Sequence, residues 1–251
     1  MEIRIARLFV LLVFCTSLFA QGQRGQRGGP PPAARDAAPI DLTGYWVSIV
    51  SEDWNGRMFP RKGDFGGFPG GNSNIPFNAE GRRVALAWDA AKDDPCKAYG
   101  AAGVMRQPGR LHITWQDDST LRVDTDAGNQ SRLFRFSMPQ PISESTSQGV
   151  SFAQWTALGG RQNWARGGYL KVVTTQMKPG YYWRNGTPYS GDARMTEYFR
   201  VTSEPTREVF LNMSEMVEDP QLLTQPYIVT YHFRKEPDGS KWSPRPCAPK
   251  D

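Results

Sequence analysis

The chain has 251 residues, 39% of them hydrophobic and 22% charged, and carries a formal net charge of +5. The signal-like start (Arg4, Arg7, Glu2) contributes +1 and the following tether (Arg24, Arg27, Arg35, Asp36) +2, which leaves only +2 for residues 40–251. A folded face with so little excess charge argues against a nucleic-acid partner, which needs clustered positive charge.

Residues 1–20 read as a signal peptide: Arg4 and Arg7 form a basic head, Leu8–Phe14 an apolar run, and Ala20 a small residue before Gln21. The run is too short to span a bilayer, and no later window is long and apolar enough. The expected compartment is therefore secreted or periplasmic, with no transmembrane segment once the signal is removed. Residues 21–39, "QGQRGQRGGPPPAARDAAP", read as a disordered Gly/Pro/Arg linker, because such a composition cannot bury enough surface to offset chain entropy.

Residues 40–251 read as one domain. Nine segments alternate apolar and polar side chains as half-buried strands do: 43–50, 110–116, 120–126, 132–138, 149–158, 168–177, 193–201, 208–217 and 226–234. The segment 79–92, with Val84, Leu86, Ala87 and Trp88 among helix-favouring alanines, reads as one helix. Short strands with tight connections hide their edges by closure, so the expected fold is all-β, a single antiparallel up-and-down barrel of about 8–10 strands. A two-sheet sandwich is the alternative.

Once the signal is removed, Cys96 and Cys247 remain. In an oxidising compartment they suggest a disulfide; two free thiols are the other reading. The glycine-rich stretch 60–76 lacks the residue order of a phosphate-binding loop. "DTDAGN" (124–129) has calcium-like spacing, but Arg135 stands where the closing glutamate belongs, so no metal and no cofactor is expected.

"DLTGYWVSIV", with Gly44-x-Trp46, resembles the first strand of the lipocalin and wider calycin barrels, in which the tryptophan plugs the closed end. Over a longer span, "LTGYW", "DPCKAYG", "GRLHITW", "RNGTPYS" and "VEDPQLLTQPY" resemble a group of secreted bacterial proteins to which no activity attaches.

Two glutamates share parity with apolar neighbours: Glu197 with Met195, Phe199 and Val201, and Glu215 with Leu211, Met213 and Val217. If Phe199 faces Leu211, Glu197 faces Met213 and Glu215 lies on the diagonal. An inward carboxylate pair would raise one pKa, as acid–base catalysis requires. Arg132, in parity with Phe134 and Phe136, could instead neutralise one of them. His232 is a further candidate base, or a hydrogen-bonded half-buried histidine; His112 falls on a polar face.

The segment 177–191, "MKPGYYWRNGTPYSG", crowds Tyr181, Tyr182, Trp183 and Tyr189 around an Asn185-Gly186 turn. Those rings either wall a binding mouth or fold back as a lid on the barrel's own core. The leading expectation is an exported barrel that binds a small, partly apolar or aromatic molecule through Trp46, Trp115, Arg132, Tyr181, Trp183, Tyr189 and Tyr198. A secreted hydrolase or isomerase using Glu197 and Glu215 is one alternative, and a non-catalytic envelope scaffold is another.

Overall fold

The computed structural model describes residues 32–52, 61–63, 75–137, 144–158 and 167–247. The signal-like segment, residues 21–31, Trp54 and most of the glycine-rich stretch lie outside them. Among the described residues, nine strands close a barrel in the order β1 (Gly44–Ser48), β12 (Tyr227–Glu236), β11 (Val209–Glu218), β10 (Arg194–Ser203), β7 (Gly167–Thr175), β6 (Val150–Leu158), β5 (Gln130–Arg135), β3 (Thr120–Thr125) and β2 (Arg110–Asp117). Each falls on a segment whose alternation marked it as a strand. The alternation survives in the burial of β7 and β11, where every second side chain faces inward.

The sheet is mixed rather than purely antiparallel, which corrects the up-and-down expectation. Eight of the nine neighbours pair antiparallel, but β5 and β6 run parallel, with Phe134 beside Ser151 and Arg135 beside Phe152. The reason is arithmetic: strands that strictly alternate in direction close a ring only when their number is even. β6 therefore begins at the same end of the barrel as β5.

The two ends of the barrel differ. At one, here called the hairpin end, lie the β2–β3 turn and the β10–β11 turn. At the other, the plug end, the chain makes its long excursion between β1 and β2. That excursion carries a 3-10 turn (Val50–Glu52), α1 (Ala79–Ala87), a second 3-10 turn (Pro95–Tyr99) and α2 (Ala101–Val104). The hairpin of β8 (Gly180–Trp183) and β9 (Thr187–Tyr189) joins these pieces. Asn78 caps α1, accepting from the Gly81 amide at 2.8 Å. The helix stops at Ala87, five residues short of the expected end, because Trp88 leaves helical geometry to lay its indole on Gly186. Gly186 has φ +79, and a Cβ there would collide with the Trp88 ring.

Two apolar clusters follow from this layout. One fills the barrel, with Trp46, Phe134, Leu170, Phe199, Leu211 and Phe233 among its members. The other, at the plug end, gathers Phe77, Met177, Tyr182, Trp183, Tyr189 and Leu223. Asp219, between β11 and β12, ties the plug down: it accepts from the Ser190 amide and hydroxyl, both at 2.7 Å, and from the Gln221 amide at 3.1 Å.

Part of the stretch expected to be a disordered linker is ordered. Residues 32–39 form turns against the hairpin end, where Trp155 donates to the Ala34 carbonyl at 2.8 Å and the Arg35 amide to Asp118 at 3.1 Å. Pro39 packs so closely on Gly168 that a Cβ there would meet its ring at 2.5 Å. Tertiary contact thus orders a stretch that has no apolar pattern of its own.

The C-terminal segment runs to the plug end, where β13 (Arg245–Pro246) pairs parallel with β4 (Ala127–Gly128). Cys96 and Cys247 form a disulfide there, with a Cα–Cα distance of 5.3 Å. Closing so long a loop restricts the unfolded chain by about 4–5 kcal/mol in the loop-entropy account. A Cys96→Ser, Cys247→Ser double variant is expected to lose about 2–5 kcal/mol in urea unfolding; an unchanged midpoint and slope would show that the bridge adds nothing to stability.

Candidate functional site

A polar layer crosses the barrel between the two apolar clusters. Arg132 on β5 and Glu197 on β10 are both fully buried and form a two-pronged ion pair, Nη1 to Oε1 at 2.7 Å and Nη2 to Oε2 at 2.5 Å. Arg132 also donates to Thr174 Oγ1 at 3.3 Å, which lies 2.8 Å from Ser151 Oγ. The neutralising role open to Arg132 in the sequence is thus the one it fills.

Glu215 sits directly opposite Glu197, not on the diagonal. The register differs by two residues from the expected one because the β10–β11 bend is centred one residue later, on Thr206. Glu204 and Glu208 still pair, N to O at 2.9 Å, and the bend is made by Pro205, Thr206 and Arg207, the last with φ +70. A left-handed residue after a tight turn is the usual three-residue hairpin geometry. A shift of two preserves the face each side chain occupies but brings the carboxylates together.

Glu215 is 1% exposed, and neither of its oxygens has a hydrogen-bond partner among the described residues. Burial, reinforced by the neighbouring Glu197, holds its pKa well above the usual carboxylate range, while Arg132 and Arg106 pull the other way. Burial thus favours the protonated form of Glu215.

The plug seals this layer. Tyr182, Trp183 and Tyr189 are buried, and Tyr182 packs on Tyr189 and Tyr227 at 5.4 and 5.3 Å between centroids. Arg106 lies 4.3 Å over the Trp183 ring. Burial is the main force raising the Tyr182 and Tyr189 hydroxyls above their ordinary range. Of the two readings of this aromatic loop, the lid is the one that forms: Trp183 and Tyr189 face the core, and Tyr181 alone of the expected rim rings stays half-exposed. Leu222, Leu223 and Tyr227, from the 218–227 loop, join the plug as well.

Other candidates are dispersed. Trp46 is buried in the barrel core and donates to the Leu42 carbonyl at 2.9 Å, so it offers no ligand surface. Tyr198 faces outward, edge-on to Tyr169 at 5.8 Å, because strand parity sends it opposite to Glu197. His232 is also on the outer face, between inward Tyr231 and Phe233. His112 stacks on Tyr45 at 4.1 Å, with Trp242 at 5.8 Å, rather than standing in water. Asp124 pairs with Arg122 at 2.9 Å, and Asp126 accepts from the Arg110 amide at 2.6 Å, so these carboxylates of the calcium-like stretch serve the sheet.

At the hairpin end the arrangement is different. Trp115 on β2, Phe136 just past β5 and Trp155 on β6 face inward but remain only partly buried. Their centroids lie 5.4–6.5 Å apart. Between Trp115 and the strap of residues 35–43 lies a cleft of about 380 Å³, bordered by Arg35, Ile40, Asp41 and Thr43. Parity would have found Phe136 and Trp155, since they share the inward face with Arg132 and Ala153; the strap had no such signal. At this end, rings from the barrel's own inward face are only partly buried.

No protein-family model, curated protein or solved structure matches this chain, so the lipocalin-like and secreted-family resemblances rest on the residues quoted above. Among the described residues, no helix is long and apolar enough to cross a membrane.

The buried acid makes a signed pH prediction. Because its folded pKa is raised, Glu215 contributes fully below the unfolded value of about 4.3, and that contribution is lost as pH climbs toward the folded value. Glu215→Gln should therefore gain stability over the parent as pH rises from 5 to 8 in urea unfolding; a pH-independent difference would mean that Glu215 ionises normally. Glu197→Gln leaves Arg132 buried without its counter-ion and should lose about 3–5 kcal/mol at neutral pH in the same assay.

Proposed function

We propose that this is an exported, non-catalytic barrel that binds a small, flat, partly aromatic molecule at its hairpin end. The observation that carries the reading is the trio Trp115, Phe136 and Trp155, left partly exposed where Trp115 lines a cleft of about 380 Å³, while the barrel's other inward rings among the described residues are buried. That volume lies within the range of small-molecule pockets, which favour barrel mouths and few polar groups. Arg35, Asp41 and Thr43 at the border would set the pose, and the ring faces would supply most of the contact. Export rests on the signal-like start and is in keeping with the Cys96–Cys247 disulfide.

The acid–base reading of Glu197 and Glu215 has less support. One carboxylate is spent on Arg132, and both lie beneath the plug rather than against a cleft. The scaffold reading draws on the filled barrel centre and would show itself as a protein partner that co-purifies, with no bound dye.

Titration with an anilinonaphthalene sulfonate dye and with simple phenolic acids, followed by tryptophan fluorescence, should show saturable binding at micromolar concentration. Trp115→Ala should weaken it about tenfold, the loss of one ring contact. An absence of saturable binding, or equal affinity in the variant, would refute a site at this end.

A further inference from the structure

A second cleft, of about 280 Å³, lies at the plug end between residues 88–99, β8 and the C-terminal tail. It is walled by three rings, Trp88, Tyr99 and Tyr181, with Asp93, Asp94 and Arg184 among its polar groups. It shares none of the residues of the hairpin-end cleft. From its chemistry we infer that it is a site for a small organic cation, an alkylated ammonium head group.

The rings are held before any ligand arrives. Trp88 donates its indole N–H to Asp93 Oδ2 at 2.7 Å, and its ring is braced on the Gly186 backbone. The Tyr181 hydroxyl bonds to the same Asp93, and burial together with that bond raises its pKa. The disulfide fixes the tail that forms the far wall, since Cys247 and Pro246 both line the cleft. A site whose walls are fixed in this way loses little order on binding.

The charges point to a cation. Burial pushes the Asp93 carboxyl up, but bonds from Lys97, Tyr181 and Trp88 outweigh it and leave it more acidic than usual. Lys97 pairs with Asp93 at 2.7 Å and also lies 5.6 Å from the Tyr181 ring centroid, so the chain's own ammonium already rests over one of these ring faces. Asp94 has no cationic partner among the described residues; its Oδ1 accepts from the Cys96 amide at 2.8 Å. Arg184 and Asp94 are both exposed side chains of this cleft, so water and salt screen each charge alike. Ring faces that attract positive charge, beside a carboxylate without a counter-ion, are the recognition chemistry of substituted ammonium groups. The cleft has room for such a head group.

The test titrates the intact mature chain with tetramethylammonium and with choline, reading the indole N–H resonance of Trp88, assigned through Trp88→Phe. The neutral isostere 3,3-dimethylbutan-1-ol is the control. Saturable shifts with both cations are expected, with the isostere about tenfold weaker. Asp94→Asn keeps a side-chain oxygen to cap the following turn while removing the charge. It should weaken choline about fivefold and leave the isostere unchanged. Trp115→Ala, at the other end, should leave cation binding intact, which separates this site from the one proposed there. Equal affinity for choline and its isostere, no saturable shift of Trp88, or loss of binding in Trp115→Ala would overturn the assignment.

Discussion

Two carboxylates face the same dry interior, and the rest of the barrel is arranged around that fact. Ionised and unpaired, each would cost several kcal/mol to bury. Arg132 settles one of them, reaching across the barrel from β5 to hold Glu197 with both nitrogens of its fork. Glu215 has no such partner among the described residues; burial raises its pKa, and something must keep the pair covered. The plug does this: β8, β9, the helices of the excursion and the β11–β12 loop cover the layer with buried rings, and Asp219 fastens the cover. A sealed plug end is thus the counterpart of a buried polar layer.

Closure with nine strands adds a second asymmetry. The parallel meeting of β5 and β6 spans only two residue pairs. Phe136 and Trp155 emerge from that seam toward the hairpin end, where Trp115 joins them. The strap 32–43 crosses there but leaves a cleft beside Trp115. The plug end buries most of the densest aromatic stretch; the hairpin end leaves partly buried three inward rings drawn from distant parts of the chain.

Much of the fold was legible in single segments. All nine barrel strands follow from alternation, because a pleated strand half-buried in a barrel must place every second side chain inside. The same parity put Glu197, Glu215 and Arg132 on the inner face. It also puts Tyr198 and His232 outside, so their places among the candidate site residues conflicted with the parity of their own strands. The helix at 79–87 was visible, but its end was not, since Trp88 turns away to meet Gly186 from a hairpin nearly a hundred residues later.

The sequence by itself determined the inside and outside of each strand, the inward charges and the presence of a ring-rich loop, since these depend only on local spacing. Only the tertiary structure decided which way that loop folds, that Glu215 stands opposite Glu197, and which of the barrel's inward rings stay partly exposed. The physical reason is that these depend on long-range choices: a turn register set by one left-handed residue, a ring closure that forces one parallel pair, and the gain from burying aromatic surface wherever the closed barrel leaves room for it.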